Sequence, residues 1–423
     1  MINEASFEAL GQMRFGSSFL RPHYQGYCFA QIPGTIQSAL LGSSKLPVLP
    51  TDALCLPQSC NKVLLVMIDA FGWCFLERYL KEDRYPFLNY LVERGRLSKI
   101  TSQFPSTTAC HVTSLMTGQA IGDSGVCEWF YYAAAIDQVI SPLLFSLVNE
   151  DKIGGLTRLG VIPELVLCEN KFIPPLKRHG VETLIAQPNE YRGGFNDYVL
   201  REAEIIYYHD DSSGARMLID RMADSKRAYG FFYFADFDHA VHRTGPYSAR
   251  SERVLDNIFE TIEKQLWPFI EENDDAAMIL TADHGATHMD PATCVYLDRE
   301  FPEFLNVLRT TQTGEPIYPC GSARDLFLHV RAEEISSAKN LLTEALLGKA
   351  EVFLVEDLIS RGFFSRGPVS DRFRGNVGDL VVVPYAGESV YWLGPNEEFR
   401  QTFRGHHGGL TVEEMETIFL SVF

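Results

Sequence analysis

Along this chain, continuous apolar runs repeatedly stop at a carboxylate followed by a glycine-bearing turn. KVLLVMIDAFG, residues 62–72, ends at Asp69; GFFYFADFDHAVHRTGP, residues 230–246, leads into Asp238 and His242; DAAMILTADHGATHMD, residues 275–290, ends in Asp283 and His284. Runs without polar alternation fit parallel strands buried on both faces. In open α/β sheets ligands bind outside the carboxyl ends of the strands, so Asp69, Asp238 and Asp283 are expected to converge on one edge.

Between these runs the period becomes helical. WCFLERYLKEDRYPFLNYLVERG (73–95) reads as one or two amphipathic helices, LSKITSQF (97–104) as the next strand, and ARSERVLDNIFETIEKQLWPFIEEND (249–274) as a long helix. RDLFLHV, EEISSAKNLLTEALLGK and AEVFLVEDLI suggest a small strand-helix-strand unit, and GDLVVVPYAG (378–387) reads as a return to a core strand. RGHHGGLTVEEMETIFL closes the chain with a Thr411/Glu414 capping box opening a helical turn. In the weaker stretch from 119 to 225, SPLLFSLVNE and ARMLIDRMADSK look helical and GGFNDY looks like a loop. The resulting division is an irregular extension over 1–60, an α/β core over 61–290, an inserted α+β cap over 291–378 and a return to the core over 379–423.

Composition narrows the function. A 423-residue chain that is 46% hydrophobic and 12% aromatic buries a large core. Its 37 basic and 55 acidic residues leave a formal charge of −18, and no Lys/Arg run interrupts the acidic balance. Duplex nucleic acid or an acidic membrane face is therefore not the expected partner. A small anionic substrate is compatible if metal ions supply positive charge. Nine scattered cysteines without paired spacing read as reduced thiols rather than a zinc knuckle. The amino terminus has acidic residues where a signal peptide starts basic, and no apolar run reaches the length of a membrane span, so the expected location is cytoplasmic.

FPSTTACHVTSLMTG, residues 104–118, is a strand-to-helix turn carrying Ser106, Thr107 and Thr108. Hydroxyls at a helix start meet unpaired N–H groups and the positive end of the macrodipole, which favour an alkoxide or a phosphate; the same pattern also reads as an N-cap by Ser106 or Thr107. Six other side chains are of metal-ligand type: Asp69, Asp238, His242, Asp283, His284 and His407. Carboxylate and imidazole mixtures suit zinc, with manganese or iron as alternatives. Asp238 and His242 stand four apart, so one helical turn lets them share an ion. GDSG at residues 122–125 echoes a serine-protease loop, but that reading fails because the strands and helices alternate along the chain.

The order IDAFG, FPSTTACHVTSLMTG, DFDHAVHRTGP, TADHG and GHHGG resembles the alkaline phosphatase superfamily, in its type I phosphodiesterase/nucleotide pyrophosphatase branch. The resemblance implies a three-layer α/β sandwich with a mostly parallel central sheet and a small inserted α+β cap. It implies two divalent ions, zinc first. One would be held by Asp238, His242 and His407, with His406 as second choice, and the other by Asp69, Asp283 and His284. It assigns the nucleophile to Thr108 and leaves Ser106 and Thr107 as caps; His111, His239 and His288 match no role and read as structural. The implied activity is cleavage of a phosphodiester or pyrophosphate bond in a small phosphate ester, nucleotides included. The alternatives are a phosphomonoesterase or phosphonate hydrolase on the same metal core, or a metal-stabilised binding module without catalysis. A sulfatase is excluded because Cys110 is followed by His-Val-Thr, and the lack of an Arg beside Thr108 favours a diester. Where the branch places a phosphoryl-binding asparagine, this chain has GVCEWFYY, with Glu128 and Trp129 as substrate-binding candidates and Trp129, Phe130 and Tyr131 as a stacking wall.

Overall fold

The computed structural model describes residues 1–57, 60–148, 150 and 152–423. In chain order the strands that matter for the site are β1 (Lys62–Ile68), β2 (Arg96–Thr101), β3 (Glu182–Pro188), β4 (Glu204–Tyr208), β5 (Ala228–Phe234) and β6 (Ala276–Thr281). They continue with β7 (Cys320–Ser322), β8 (Asp325–Leu328), β9 (Ala350–Leu354), β10 (Leu380–Pro384) and β11 (Glu416–Val422). The main sheet has seven strands in the order β2-β11-β6-β1-β5-β3-β4. β11 is antiparallel to β6 and β2, and the other neighbours are parallel.

Every residue of β1, β6 and β11 is buried, which is why these segments carry no polar alternation. Successive residues of β1 face opposite sides. Val63, Leu65 and Met67 join a cluster with Leu115 and Met116, whereas Leu64, Val66 and Ile68 join one with Phe75, Leu91 and Phe259. Helices thus cover both faces of the sheet. Register aligns the carboxyl ends: Phe234 of β5 pairs with Ile68, and Thr281 of β6 pairs with Met67.

The four-stranded second sheet, in the order β7-β8-β10-β9, is antiparallel throughout. Residues 378–387 accordingly do not return to the main sheet, because Leu380–Pro384 is an inner strand of this second one. An apolar run signals burial between neighbours but not which neighbours. The return comes instead with β11, which follows the Thr411/Glu414 capping box and its single helical turn, Val412–Met415.

Three other expectations are corrected. SPLLFSLVNE is not helical: Gln138–Ser141 and Ser146–Leu147 pair in a small antiparallel sheet with Tyr131–Ala133, and Asn149 lies outside the described residues. Within GGFNDY, Phe195–Val199 is a short helix rather than a loop. The first sixty residues are less irregular than their composition suggests, with helices Glu4–Gly11 and Ile32–Leu41; Phe19, Phe29, Ile32 and Ile36 pack into the main core. All nine cysteines are free. Among the described residues no helix is long and apolar enough to cross a membrane.

Candidate active site

One helix of the site follows an apolar strand directly, and the other starts after the six residues that follow β2. Helix α1 (Thr108–Thr117) begins after Thr107, whose backbone is extended, and α2 (Asp236–Thr244) follows β5 directly. Thr108 is the first residue of α1, so its side chain stands at the positive end of that helix. Neither Ser106 nor Thr107 caps α1 by its side chain. Ser106 instead donates its hydroxyl to the Gly409 carbonyl at 2.8 Å and accepts the Gly408 N–H at 3.1 Å, holding the loop that carries His407.

Asp69, Asp283 and His284 form an inner cluster whose ligand-type atoms lie within 4.8 Å of one another. His284 Nε2 is 3.5 Å from Asp69 Oδ1 and 3.4 Å from Asp283 Oδ2. Thr108 Oγ1 sits 3.3 Å from both Asp69 Oδ2 and His284 Nε2. Asp283 Oδ1 accepts the N–H groups of Ala70 and His284, at 3.1 and 3.0 Å, while its buried Oδ2 has no hydrogen-bond partner. The Tyr233 hydroxyl donates to Asp69 Oδ2.

An outer cluster adjoins it. His242 Nε2 lies 3.2 Å from Asp238 Oδ2 and 3.2 Å from His407 Nε2, and His407 Nε2 lies 3.6 Å from Asp238 Oδ1. Asp238 Oδ1 is also buried without a hydrogen-bond partner. The His284 and His407 rings stack at 3.7 Å, so the two clusters are contiguous.

Ring hydrogen bonds decide which imidazoles can ligate. Nδ1 of His242, His284 and His407 lies 2.8, 2.9 and 2.9 Å from the carbonyls of Gly405, Gly285 and Ser106. Each therefore donates its Nδ1–H and turns an Nε2 lone pair toward the clusters, the arrangement that orients metal-ligating histidines. His406 also lies within reach of His242 and His407. Its Nδ1, however, accepts the His407 backbone N–H at 2.9 Å, so the neutral ring keeps its proton on Nε2. His407 is accordingly the better donor of the pair. His111 is fully engaged, with Nδ1 2.7 Å from the Thr107 carbonyl and Nε2 2.8 Å from Ser102 Oγ and 2.9 Å from the Gln103 nitrogen, and it ties α1 to the end of β2.

Charges in this site are poorly balanced by protein alone. Burial, then the charges of Asp283 and Asp238, push the Asp69 carboxyl well up, and burial pushes Asp283 to about 7. Burial drives His284 down to about 3 and His407 and His406 well down. For Asp238 burial acts upward, but His242 beside it brings the carboxyl below its ordinary range; His242 is raised, burial opposing and Asp238 supporting. Unpartnered buried carboxylate oxygens beside imidazole lone pairs suit divalent cations, whose charge would ionise the acids and leave the bases neutral. Both clusters thus fit a metal.

Glu128 and Trp129 line a pocket of about 430 Å³ beside Thr108. Glu128 is buried; Oε2 accepts the Trp129 N–H, Oε1 has no partner, and burial, opposed by that N–H, raises the acid to about 7. Phe130 lines the pocket as well, but Tyr131 is 1% exposed within a strand and belongs to the core. His239 reaches the pocket rim, and His288 lies exposed on a short strand.

Two positioning groups carried no sequence signal. Tyr233 reads as one more apolar position of β5. Arg324, fully buried, makes paired 2.9 Å bonds to Glu414, whose Oε1 also accepts the Gly409 N–H at 3.0 Å and whose Oε2 accepts the Thr411 hydroxyl at 2.7 Å. This network fastens the His407 loop to the second sheet. The capping box identified Glu414 but not its buried partner.

No curated protein sequence matches the chain. Among solved structures, murine ectonucleotide pyrophosphatase/phosphodiesterase 5 superposes with a TM-score of 0.62 at 17% identity, covering 85% of this chain and 87% of that one. The human counterpart gives the same values. Phosphonoacetate hydrolase from Sinorhizobium meliloti 1021, in complex with phosphonoformate, superposes at 0.60 and 14% identity over 87% of this chain and 91% of that one. These likenesses show the alkaline-phosphatase-type fold. The family model for type I phosphodiesterase/nucleotide pyrophosphatase matches residues 63–410, a span that opens on β1 and closes on the glycine loop after His407. With that fold, and with its carboxylates and histidines gathered at the strand ends, the chain belongs to the type I phosphodiesterase/nucleotide pyrophosphatase family of metal-using hydrolases.

Proposed function

We propose that the protein hydrolyses a phosphodiester or pyrophosphate bond through Thr108, with two divalent ions held by the two clusters. Zinc is the expected ion, and manganese or iron the alternatives. The observation that carries this reading is the place of Thr108 Oγ1, at a helix start and 3.3 Å from both Asp69 Oδ2 and His284 Nε2. Asp69, Asp283 and His284 would hold one ion, and Asp238, His242 and His407 the other. Bound there, the ions would supply the positive charge that lowers the threonine's pKa and stabilises charge on the phosphoryl oxygens.

The chain's own groups do the rest. Thr108 Oγ attacks phosphorus in line, forming a phosphothreonine as the bond to the leaving oxygen breaks; the hydroxyl proton is lost to solvent water, and the leaving oxygen takes up a proton from water. The start of α1 favours the alkoxide and the phosphoryl oxygens. Water then cleaves the phosphothreonine from the vacated side and frees Thr108. Tyr233 holds Asp69 in place, and the Arg324–Glu414 network holds the His407 loop. The mouse neighbour solved as an inactive threonine-to-alanine variant in complex with AMP supports a nucleotide among the candidate substrates.

The test is turnover of an aryl phosphodiester beside the matching aryl monoester, with metal-loaded wild type and Thr108→Ala. Preference for the diester, abolished in the variant, is expected. Wild-type turnover by Thr108→Ala would sink the mechanism.

A further inference from the structure

Glu128 is a buried acid without a counter-charge. It is 1% exposed, stands just before the small antiparallel sheet and lines the pocket beside Thr107 and Thr108. Among the described residues lining that pocket there is no Lys or Arg. Glu128 Oε2 accepts the Trp129 backbone N–H, whereas Oε1 is buried with no hydrogen-bond partner. Among the described residues two groups of three or more metal-type donors occur, and Glu128 belongs to neither. Oε1 thus has neither an ion-pair partner nor a metal-donor set around it, and a buried polar atom of this kind calls for a partner.

The groups around it decide its protonation. Asp325, at the start of β8, is fully buried; its Oδ1 accepts the Ser322 hydroxyl and its Oδ2 has no partner. Burial, then the charge of Glu128, push Asp325 well up, so Glu128 is the acid of the two that ionises first. Burial raises Glu128 to about 7, opposed by the Trp129 and Phe130 N–H groups and the Thr107 hydroxyl. The other titratable neighbours are Cys110 on α1, Cys127, Cys320 on β7 and Tyr391; burial raises all four, Cys320 to about 12, so they stay neutral while Glu128 titrates. A neutral carboxyl has one O–H to donate, and with Oε2 accepting from Trp129 that O–H falls on Oε1. Ionised, Glu128 would instead set a second negative charge against a bound phosphate.

We propose that Glu128 works as a neutral carboxylic acid, held at Oε2 by the Trp129 N–H and donating its Oε1–H to a non-bridging phosphoryl oxygen at Thr108. This rests on the Thr108 reading and adds to it a donor with a pH limit. As pH rises through about 7 the donor is lost and a repelling charge takes its place, so phosphoryl binding and turnover fall on the alkaline side.

Turnover of the aryl phosphodiester is measured from pH 6 to pH 9 with zinc-loaded wild type, with Glu128→Gln, whose amide keeps a donor that does not ionise, and with Glu128→Leu. The wild-type kcat/KM, taken relative to that of Glu128→Gln, should fall about tenfold per pH unit above neutrality. Glu128→Leu should lie roughly 10²-fold below Glu128→Gln throughout. Zinc-loaded Thr108→Ala is then titrated calorimetrically with phenyl methyl phosphate in buffers of different ionisation enthalpy. Binding at pH 8 should take up about one proton, binding at pH 6 almost none, and adding Glu128→Gln should abolish the uptake. A wild-type to Glu128→Gln ratio that is flat with pH, no proton uptake at pH 8, or Glu128→Gln as impaired as Glu128→Leu overturns the inference while leaving the hydrolase reading intact. So does a wild-type requirement for added magnesium that Glu128→Gln lacks, which would make Glu128 the ligand of a further cation. No turnover by wild type together with no diester binding overturns both.

Discussion

The inner cluster of Asp69, Asp283 and His284 and the outer cluster of Asp238, His242 and His407 use the same residue types but are held by different parts of the molecule. The inner one hangs on sheet register. Asp69 follows β1 and Asp283 follows β6, the two strands are paired neighbours, and all three side chains are almost fully buried. The outer one combines one turn of α2 with a loop more than a hundred residues away in sequence, and that loop is held by Ser106 and by the Arg324–Glu414 pair. A cluster built on backbone register is insensitive to any single distant side chain, whereas a cluster built on a tethered loop depends on the tether.

The largest expected effect concerns the hydroxyl that touches only the inner cluster. Thr108→Ala should lower turnover by about 10⁴-fold or more while metal content, read by elemental analysis, stays at the wild-type level in both clusters. Loss of metal along with activity would make Thr108 a support of the inner cluster rather than its reacting group.

Next is the tether. Arg324→Met leaves the fully buried Glu414 without its partner and should cost about 3–5 kcal/mol in urea unfolding. Adding Glu414→Leu should recover much of that loss. In the single variant the outer cluster should release its ion to a chelator before the inner one does. Equal release from both would erase the distinction between them.

The pH dependence sharpens the inner side. Burial lowers His111 to about 3 from an ordinary 6.5. The unfolded chain therefore takes up a proton that the folded chain refuses, so this stability is present above pH 6.5 and is lost as pH falls toward 3. At pH 5 the loss from this ring alone is about 2 kcal/mol. Denaturant unfolding of the metal-free protein at pH 7 and pH 5 should show a loss smaller by about that amount in His111→Gln; identical slopes in the two proteins would contradict it.

The smallest effect is at Tyr233. Tyr233→Phe removes the donor to Asp69 Oδ2 and should weaken metal binding by the inner cluster about tenfold in a chelator competition, with the outer cluster unaffected. A change in the outer cluster instead would mean that the stacked His284 and His407 rings couple the two sites.

Much of this architecture was legible because burial on both faces erases polar alternation. β1, β5 and β6 read as inner strands from the sequence, and their terminal carboxylates fall on one edge. The capping box of Thr411 and Glu414 was legible for a similar reason, since its two bonds close within three residues. Residues 378–387 were misplaced because an apolar run looks the same in either sheet. SPLLFSLVNE was misread because a short apolar stretch has no decisive period. Tyr233 and Arg324 gave no signal at all: one hides among the apolar residues of its strand, and the other acts through a partner ninety residues away.

The sequence by itself determined the inner strands, the carboxylates at their ends, a cluster of hydroxyls at a helix start and the histidine-glycine loop, because each depends on local periodicity or on the chemistry of a few adjacent residues; the choice of Thr108 within that cluster came from the family resemblance. Only the tertiary structure decided that β11 runs backwards through the main sheet, that His407 rather than His406 turns a free lone pair inward, and that Arg324 pairs with Glu414 to hold the His407 loop. Those outcomes depend on strand partners, on which carbonyl an imidazole meets and on which buried side chains pair, all of them contacts between segments that the order of residues does not bring together.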